Sequence, residues 1–284
     1  MAKMAGGLGD GLRGKLGGLS YYKMRGVDKV IVRESGGHTK RKIKKDPDLD
    51  LFRRAGSEFG GRALMSSFIM RALVFQKPMA DYNLAGPLSA LMKPIQEQDR
   101  ISELGQRNIY LSEHAQYIKG FSLNRNHSFD SVIRFPVTGT IDRETLSASV
   151  TFPELMPDIN FFPAAYHPYY ALRITLAIVP DIVYNQNRYT PIHANYPDHS
   201  AEYVDSSWYS SQEGSPAQTM MVKVKTIPPD THFTLVLAVG VCYGKLKTLS
   251  TIERVARAGS AKVLEVGSEL PVVPADKPGI HDPY

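Results

Sequence analysis

The densest group of side chains that could do chemistry lies in the stretch HANYPDHSAEYVD, which runs from residue 193 to residue 205. Its possible metal ligands are His193, Asp198, His199, Glu202 and Asp205. A zinc or other transition-metal site needs three or four ligands that converge on a rigid frame. This stretch has the composition of a loop and no fixed ligand spacing. We therefore interpret it as a solvated polar loop and predict no metal site.

Other chemical signatures are missing from the sequence. Nucleophile elbows, P-loops, dinucleotide-binding fingerprints and HExxH motifs do not occur. The single cysteine, Cys242, excludes an internal disulfide, and the apolar run LVLAVGVCYG around it indicates a buried and inert thiol. We predict that the protein is not an enzyme and has no cofactor.

Positive charge is concentrated at the start of the chain. Residues 1–46 hold twelve Lys and Arg against four acids, a net charge of +8, so the remainder carries −2 of the total of +6. The segment HTKRKIKK, residues 38–45, contains the cations Lys40, Arg41, Lys42, Lys44 and Lys45. Such a cluster could neutralise several phosphates and bind nucleic acid without sequence preference. A solvated basic linker is the simpler interpretation, and nucleic-acid binding or packaging is kept as the alternative.

The segment GKLGGLSYYKMRGVDKVIVR, residues 14–33, predicts a β-hairpin that turns at Gly26, Val27 and Asp28. Its apolar side chains are Leu19, Tyr21, Tyr22, Val30, Ile31 and Val32. Burying each of them is worth about 1.5–3 kcal/mol, and two strands alone are marginal in water. The hairpin must therefore pack on the protein's own helices or add strands to a neighbouring subunit. We predict the second, and hence a homo-oligomer or larger assembly.

The helical part of the chain is predicted at residues 46–125. Asp46 is a suitable N-cap and Pro47 a suitable first helical residue. Behind this start the apolar residues Phe52, Ala55, Phe59 and Ala63 recur at helical spacing, and Lys77-Pro78 closes the predicted helix. Further helices are expected at residues 87–98 and 112–119.

From residue 126 the pattern changes to short strand-like runs separated by Pro, Gly, Asn and Asp. The runs are TLSASVTF (145–152), YYALRITLAIV (169–179), AEYVDSSWYSS (201–211), TMMVKVKTI (219–227) and HFTLVLAVGVCYG (232–244). This pattern predicts an antiparallel β-sandwich over residues 126–267. The whole chain is thus predicted to be α+β, with a basic glycine-rich arm at 1–45 and a proline-rich tail at 268–284.

One stretch of the β region resembles fibronectin type III domains. Ile227 to Phe233, the sequence IPPDTHF, is similar to the L-x-P-x-T-x-Y turn of that family, and Val236-Leu237-Ala238 follows as its V-x-A strand. Phe152 stands where the family usually has tryptophan. Phe233 replaces the family's tyrosine and cannot make its hydroxyl bond. The resemblance implies a fibronectin-like or immunoglobulin-like sandwich, with a jelly roll as the alternative.

The N-terminal region resembles the start of an uncharacterised family of bacterial proteins. That start reads G-x-x-G-K-V-G, a tyrosine strand, a glycine turn, V-R and then a proline-initiated helix. The matching residues here are Gly11, Gly14, Lys15, Gly17, Tyr21 or Tyr22, Gly26, Val32 and Arg33. The resemblance implies this architecture followed by a C-terminal β domain, and it implies no activity.

Targeting signals are not expected either. The first residues lack the apolar region of a secretion signal. The most apolar helical stretch, ALMSSFIMRALVF, is too short for a membrane span and contains Arg71. We therefore expect cytoplasmic synthesis, with the final location open. The predicted function is that of a non-catalytic structural protein whose terminal arms engage copies of itself.

Overall fold

The computed structural model describes residues 2–3, 13–24, 27–34, 36–163, 166–193, 196, 200–248 and 251–268. Gly26 of the predicted turn and residues 269–284 of the predicted tail lie outside these ranges. The described chain is α+β, with mostly antiparallel strands and a few helices. None of the described helices combines the length and apolar character that crossing a bilayer requires.

The first residues form a four-stranded sheet, named the N-terminal sheet. Its strands are β1 (Ala2–Lys3), β2 (Gly14–Leu16), β3 (Leu19–Tyr22) and β4 (Ile31–Glu34), in the order β1-β4-β3-β2. The predicted hairpin is confirmed, because β3 and β4 pair with Tyr21 opposite Val32. Gly17 and Gly18, both at positive φ, make the two-residue turn between β2 and β3. The hairpin is therefore part of a larger sheet.

The helices follow in one block. They are α1 (Lys40–Lys45), α2 (Asp50–Ala72), α3 (Ala85–Gln96) and the short α4 (Phe129–Val132). The helix start at Asp46 and Pro47 is confirmed, although its first turn, Pro47–Leu49, is 3-10 helix. Residues 38–45 are a solvated basic segment between β4 and α2, and Thr39 caps part of it into α1 by accepting the N–H of Lys42. The helix expected at 112–119 is reduced to a 3-10 turn, Ala115–Ile118.

The remaining strands form three sheets. They are β5 (Thr138–Asp142), β6 (Ser147–Phe152), β7 (Tyr169–Pro180), β8 (Ile182–Asn185), β9 (Arg188–Pro191), β10 (Ala201–Asp205), β11 (Tyr209–Ser210), β12 (Gln218–Lys223), β13 (Phe233–Leu246) and β14 (Ile252–Gly267). One sheet has the order β10-β7-β13-β14, with β11 also paired to β7. A second has the order β12-β6-β5, and β8 and β9 form a hairpin. Every pairing is antiparallel.

Two hydrophobic cores cover the two faces of the five-stranded sheet. The first lies against the three-stranded sheet and includes Phe152, Leu172 and Leu237. The second lies against α2 and α3 and includes Met65, Leu88 and Val236. The described chain therefore has three layers, and the two packed sheets are consistent with a β-sandwich.

The turn before β13 is fastened by side chains that the sequence pattern did not identify. Phe233 is buried and has no hydroxyl, as expected. Tyr196 instead donates its hydroxyl to the carboxylate of Asp230 in this turn. The Arg143 guanidinium donates to the carbonyls of Thr231 and Phe233, each at 2.7 Å, and lies 3.9 Å from the centre of the Phe233 ring. A distant tyrosine and an arginine thus close the turn.

The helix predicted from the apolar spacing is confirmed as α2, and the spaced residues lie on its exposed side. Phe52 and Phe59 are 56% and 58% exposed. The helix buries the other side, with Met65 and Ile69 in the second core. Helical periodicity identifies an apolar face, but it does not say whether the same chain covers that face.

Polar and aromatic contacts from outside the helix fix the first half of α2 in this orientation. Glu58 accepts two hydrogen bonds from Arg107, at 2.6 and 2.8 Å, and one from the N–H of Gly105 at 3.0 Å. Gly61 lies directly under the Tyr189 ring, where an added Cβ would approach the ring to 2.7 Å. At the preceding residue, Gly60, an added Cβ would meet no atom within 4 Å.

This contrast gives a paired prediction. Gly61→Ala should destabilise the protein by about 1–3 kcal/mol, because the methyl group overlaps the Tyr189 ring. Gly60→Ala should stabilise it by about 0.5–1 kcal/mol, because it removes backbone freedom from the unfolded chain at an unhindered helical position. Urea unfolding of dilute protein measures both. Equal effects of the two substitutions would contradict the placement of Tyr189 on α2.

Candidate functional site

The polar loop proposed as a weak metal candidate does not converge on one point. His193 lies 3.4 Å from Asp230, Glu202 lies 3.3 Å from Lys225, and Asp205 pairs with Arg173 at 2.6 Å. Asp198 and His199 lie outside the described residues. Within the part of the chain that the structure describes, no group of three His, Cys, Asp or Glu side chains could hold a metal ion.

Cys242 occupies the interior of β13, as its apolar surroundings predict. The thiol is completely buried in the second core. Burial raises its pKa, so the reactive thiolate is disfavoured. Neither nucleophilic nor redox chemistry is supported at this position.

The predicted assembly residues fall into two classes. Val30, Ile31 and Val32 are buried within the single chain, although they belong to neither of the two cores. Leu19, Tyr21 and Tyr22 are only partly buried. The described residues therefore bury the apolar side chains of β4 more completely than those of β3.

Strand register shows which side chains share a face of the N-terminal sheet. Residues directly opposite each other, and alternate residues along a strand, lie on the same face. Leu16 opposite Leu19 and Tyr21 opposite Val32 therefore share one mostly apolar face, which also carries the exposed Glu34 opposite Leu19. The other face carries Lys15, Ser20, Tyr22, Ile31 and Arg33.

Leu16 is the exposed end of this apolar face, and the sequence interpretation missed it. Its side chain is 64% exposed and belongs to the edge strand β2. The Gly17-Gly18 dipeptide between two leucines was the available signal, since such pairs form two-residue hairpin turns. Leu16, Leu19 and Tyr21 are named the sheet face below.

The basic cluster is an ordered surface. Lys40, Arg41, Lys42, Lys44 and Lys45 are all exposed on α1. Arg53 holds this helix on α2 by donating to the carbonyls of Ile43 and Asp46, at 2.9 and 2.7 Å. Lys42 lies 3.9 Å from Asp46, and no acid within the described residues pairs with the other four cations. The arrangement presents fixed positive charge to solvent.

One buried carboxyl group joins a loop to the central sheet. Asp181 is fully buried between β7 and β8, and it accepts the N–H and the hydroxyl of Ser112 at 2.8 and 2.5 Å. Burial raises its pKa to about 6, more than its hydrogen bonds lower it. Its contacts are those of a structural clamp.

Comparisons of the chain with protein-family models, with curated protein sequences and with solved structures gave no match. The two resemblances drawn from the sequence therefore remain predictions. Two surfaces of the described residues are suited to an interaction of the kind predicted from the sequence: the sheet face and the cations of α1.

The Asp181 carboxyl predicts a specific pH dependence. Its native pKa lies above the unfolded value of 3.8, so its stabilising effect is complete below pH 4 and is lost as the pH rises through 6. The loss is about 3 kcal/mol, at 1.36 kcal/mol per pKa unit. Asp181→Asn keeps an acceptor for Ser112 and should remove this loss, so it should become more stable relative to the native protein between pH 4 and pH 7.

Asp99 provides a control of opposite sign. Burial alone would raise the pKa of Asp99, but backbone N–H groups, including that of Ser102, hold it below its ordinary value. Asp99→Asn should therefore cost stability at pH 7, and the cost should shrink as the pH falls below 4. Chemical denaturation across this range measures both variants. Parallel pH profiles for native protein and Asp181→Asn would contradict the burial of Asp181.

Proposed function

We propose that this protein is a non-catalytic structural protein that assembles with copies of itself through the sheet face and the free edge of β2. One observation carries the proposal: an edge strand places a largely exposed leucine, Leu16, beside the partly exposed Leu19 and Tyr21. Exposed apolar edge strands are templates for pairing with another chain, because their main-chain N–H and C=O groups are unpaired. A second copy supplies both the strand and the apolar cover.

Another long edge is less suited to this role. β14 ends the five-stranded sheet, but residues 120–123 cover part of its outer side. The N–H groups of Gly120 and Leu123 donate to the carbonyls of Val263 and Ala261, both at 2.9 Å. At β2, within the described residues, no strand pairs on the outer side. The geometry therefore favours β2 as the edge for addition.

We also infer that the two packed sheets form an immunoglobulin-like or fibronectin-like sandwich. Taking β5, β6, β7, β10, β12, β13 and β14 as strands A, B, C, C′, E, F and G gives sheets A-B-E and C′-C-F-G. Immunoglobulin-type domains also pair B with E, C with F and F with G. This correspondence supports the fibronectin resemblance over the jelly roll, and it supplies a body that carries the assembly surface.

A pair of acid substitutions tests the assembly proposal. Leu16→Asp should disrupt self-association, because a carboxylate would be buried in the pairing seam. Ser20→Asp makes the same charge change on the opposite face of the adjacent strand and should leave association intact. Sedimentation velocity over a concentration series measures both. A native protein that stays monomeric throughout, or equal effects of the two variants, would overturn the proposal.

The cations of α1 favour a second candidate function, binding to nucleic acid. The fixed, exposed cluster could contact successive phosphates, and such binding weakens steeply with salt. This function is compatible with assembly, since α1 and the sheet face share no residue. Together they describe a packaging protein.

Charge neutralisation tests this second candidate. Replacing Lys40, Arg41, Lys44 and Lys45 with Ala should weaken binding to a nonspecific oligonucleotide duplex, measured by fluorescence anisotropy. The slope of log K against the logarithm of the salt concentration should also become shallower by roughly 3–4, because each lost phosphate contact removes about 0.9 from it. Alanine at the exposed Lys223, Lys225, Lys245 and Lys247 removes the same charge elsewhere. Equal losses in the two variants would show a net-charge effect and would contradict a site on α1.

A further inference from the structure

The outer surface of α2 carries an apolar face that the described part of the chain leaves open. Its members are Phe52, Ala55, Gly56, Phe59, Gly60 and Ala63, named the α2 stripe. All of them are exposed, and none is charged. They form two adjacent i, i+4 rows along the helix, which is the pattern of a face that packs against another helix. The described residues leave this face exposed to solvent.

Two glycines in the stripe have no intrachain explanation. A Cβ at Gly56 or Gly60 would meet nothing within 4 Å. Glycine inside a helix is unfavourable relative to alanine, so an unhindered pair of glycines weakens the helix without relieving any contact of this chain. The Tyr189 ring explains why residue 61 is glycine, because it leaves no room for a Cβ. Close approach of a second backbone would explain the glycines at positions 56 and 60 in the same way.

The stripe continues into a groove between α2 and α3. The groove has a volume of about 330 Å³, and its walls include Phe59, Ala63, Gly86, Ser89 and Ala90. Two cations, Arg62 and Lys93, also line it. The groove therefore extends the open face of the stripe toward α3.

We propose that the α2 stripe binds the α2 stripe of a second copy of this chain, with the two helices antiparallel about a two-fold axis. The sizes along the stripe complement one another in that orientation. Phe59 faces Gly56 of the second copy, Phe52 faces Ala63, and Ala55 faces Gly60, so each aromatic ring meets a small residue. A two-fold contact repeats each pair, as an isologous interface requires.

The available area makes this a weak contact. Aromatic side chains bury roughly 150–250 Å² each, so four half-exposed rings supply roughly 400–500 Å². Stable interfaces bury about 1,200–2,000 Å² in total. The groove walls and the small residues add to the rings, and the sum stays below this range. The dimer should therefore dissociate on dilution.

The charges beside the stripe fix the expected effect of salt. Arg53 and Arg62 flank it and would face each other across the two-fold axis. Arg53 is partly neutralised by Asp50 at 3.2 Å. Salt screens the remaining repulsion, so added salt should strengthen this dimer or leave it unchanged. An acidic partner on the same surface would instead be released by salt.

The first test compares two acid substitutions at exposed apolar residues. Phe59→Asp should raise the dissociation constant by roughly tenfold or more, because it places a carboxylate in the apolar contact. Met221→Asp makes a similar change at a residue that is 68% exposed on β12, in the layer opposite to α2, and it should have no effect. Sedimentation velocity at low and high salt gives both constants. Equal constants for the two variants, or dissociation by salt, would overturn the proposal.

The second test reads the orientation directly. Ala55→Cys and Gly60→Cys should form a disulfide-linked dimer only when the two variants are mixed, because Ala55 faces Gly60 of the other copy. The native Cys242 is buried and does not interfere. A linked dimer of Ala55→Cys alone would show a parallel arrangement and would overturn the proposal. Failure of the mixture to cross-link under mild oxidation would do so as well.

This contact deepens the proposed function of self-assembly and uses a different surface, so the two can fail separately. When Leu16→Asp is added to both cysteine variants, their mixture should still form the disulfide-linked dimer. Loss of this dimer would show that the α2 contact depends on the sheet face, and the proposal of an independent α2 interface would be overturned. Normal cross-linking, with assembly unaffected by Leu16→Asp, would leave the α2 contact standing and remove the sheet-face proposal.

Discussion

The structure depends on two strands, β7 and β13, that are buried on both faces. Along β7, every residue from Tyr170 to Pro180 is buried, and along β13 every residue from Phe233 to Gly244 is buried. Antiparallel sheets commonly leave one face in water and read as an alternation of apolar and polar residues. Here no polar face exists, so both faces must be covered. The three-stranded sheet covers one and the helices cover the other.

Because α2 covers one face of the five-stranded sheet, the opposite side of this helix is exposed to solvent. The helix presents Met65, Ile69 and Ala72 to the second core and therefore turns its other side to solvent. The buried Arg173 side chain fixes the position of the chain just after this helix on the sheet. Arg173 of β7 donates to both carboxylate oxygens of Asp205, at 2.6 and 2.8 Å, and to the carbonyl of Phe75 at 2.7 Å. Because an unpaired buried charge is very costly, this arginine fixes the chain after α2 in one place.

The sequence predicted those features whose signals are local. The two central strands read as long apolar runs, the hairpin carried turn residues, and Asp46 with Pro47 began a helix. The β8–β9 hairpin escaped notice because its turn uses Gln186 and Asn187, both at positive φ, without a glycine. β14 was not predicted because its apolar and polar residues do not alternate regularly. Arg257 and Gly259 have positive φ, and the pairing with β13 shifts register twice. Residues far apart in sequence, such as Tyr189 over Gly61, cannot be paired from one sequence.

The same reasoning separates the candidate surfaces. Periodicity placed Phe52 and Phe59 on one side of a helix, and the cores of the described residues do not cover that side. The sheet face and the α2 stripe share no residue, and each is suited to a second copy. One two-fold contact alone stops at a dimer, whereas two different two-fold contacts on each chain join dimers into larger assemblies. Whether such an assembly closes or continues depends on the angle between the two axes.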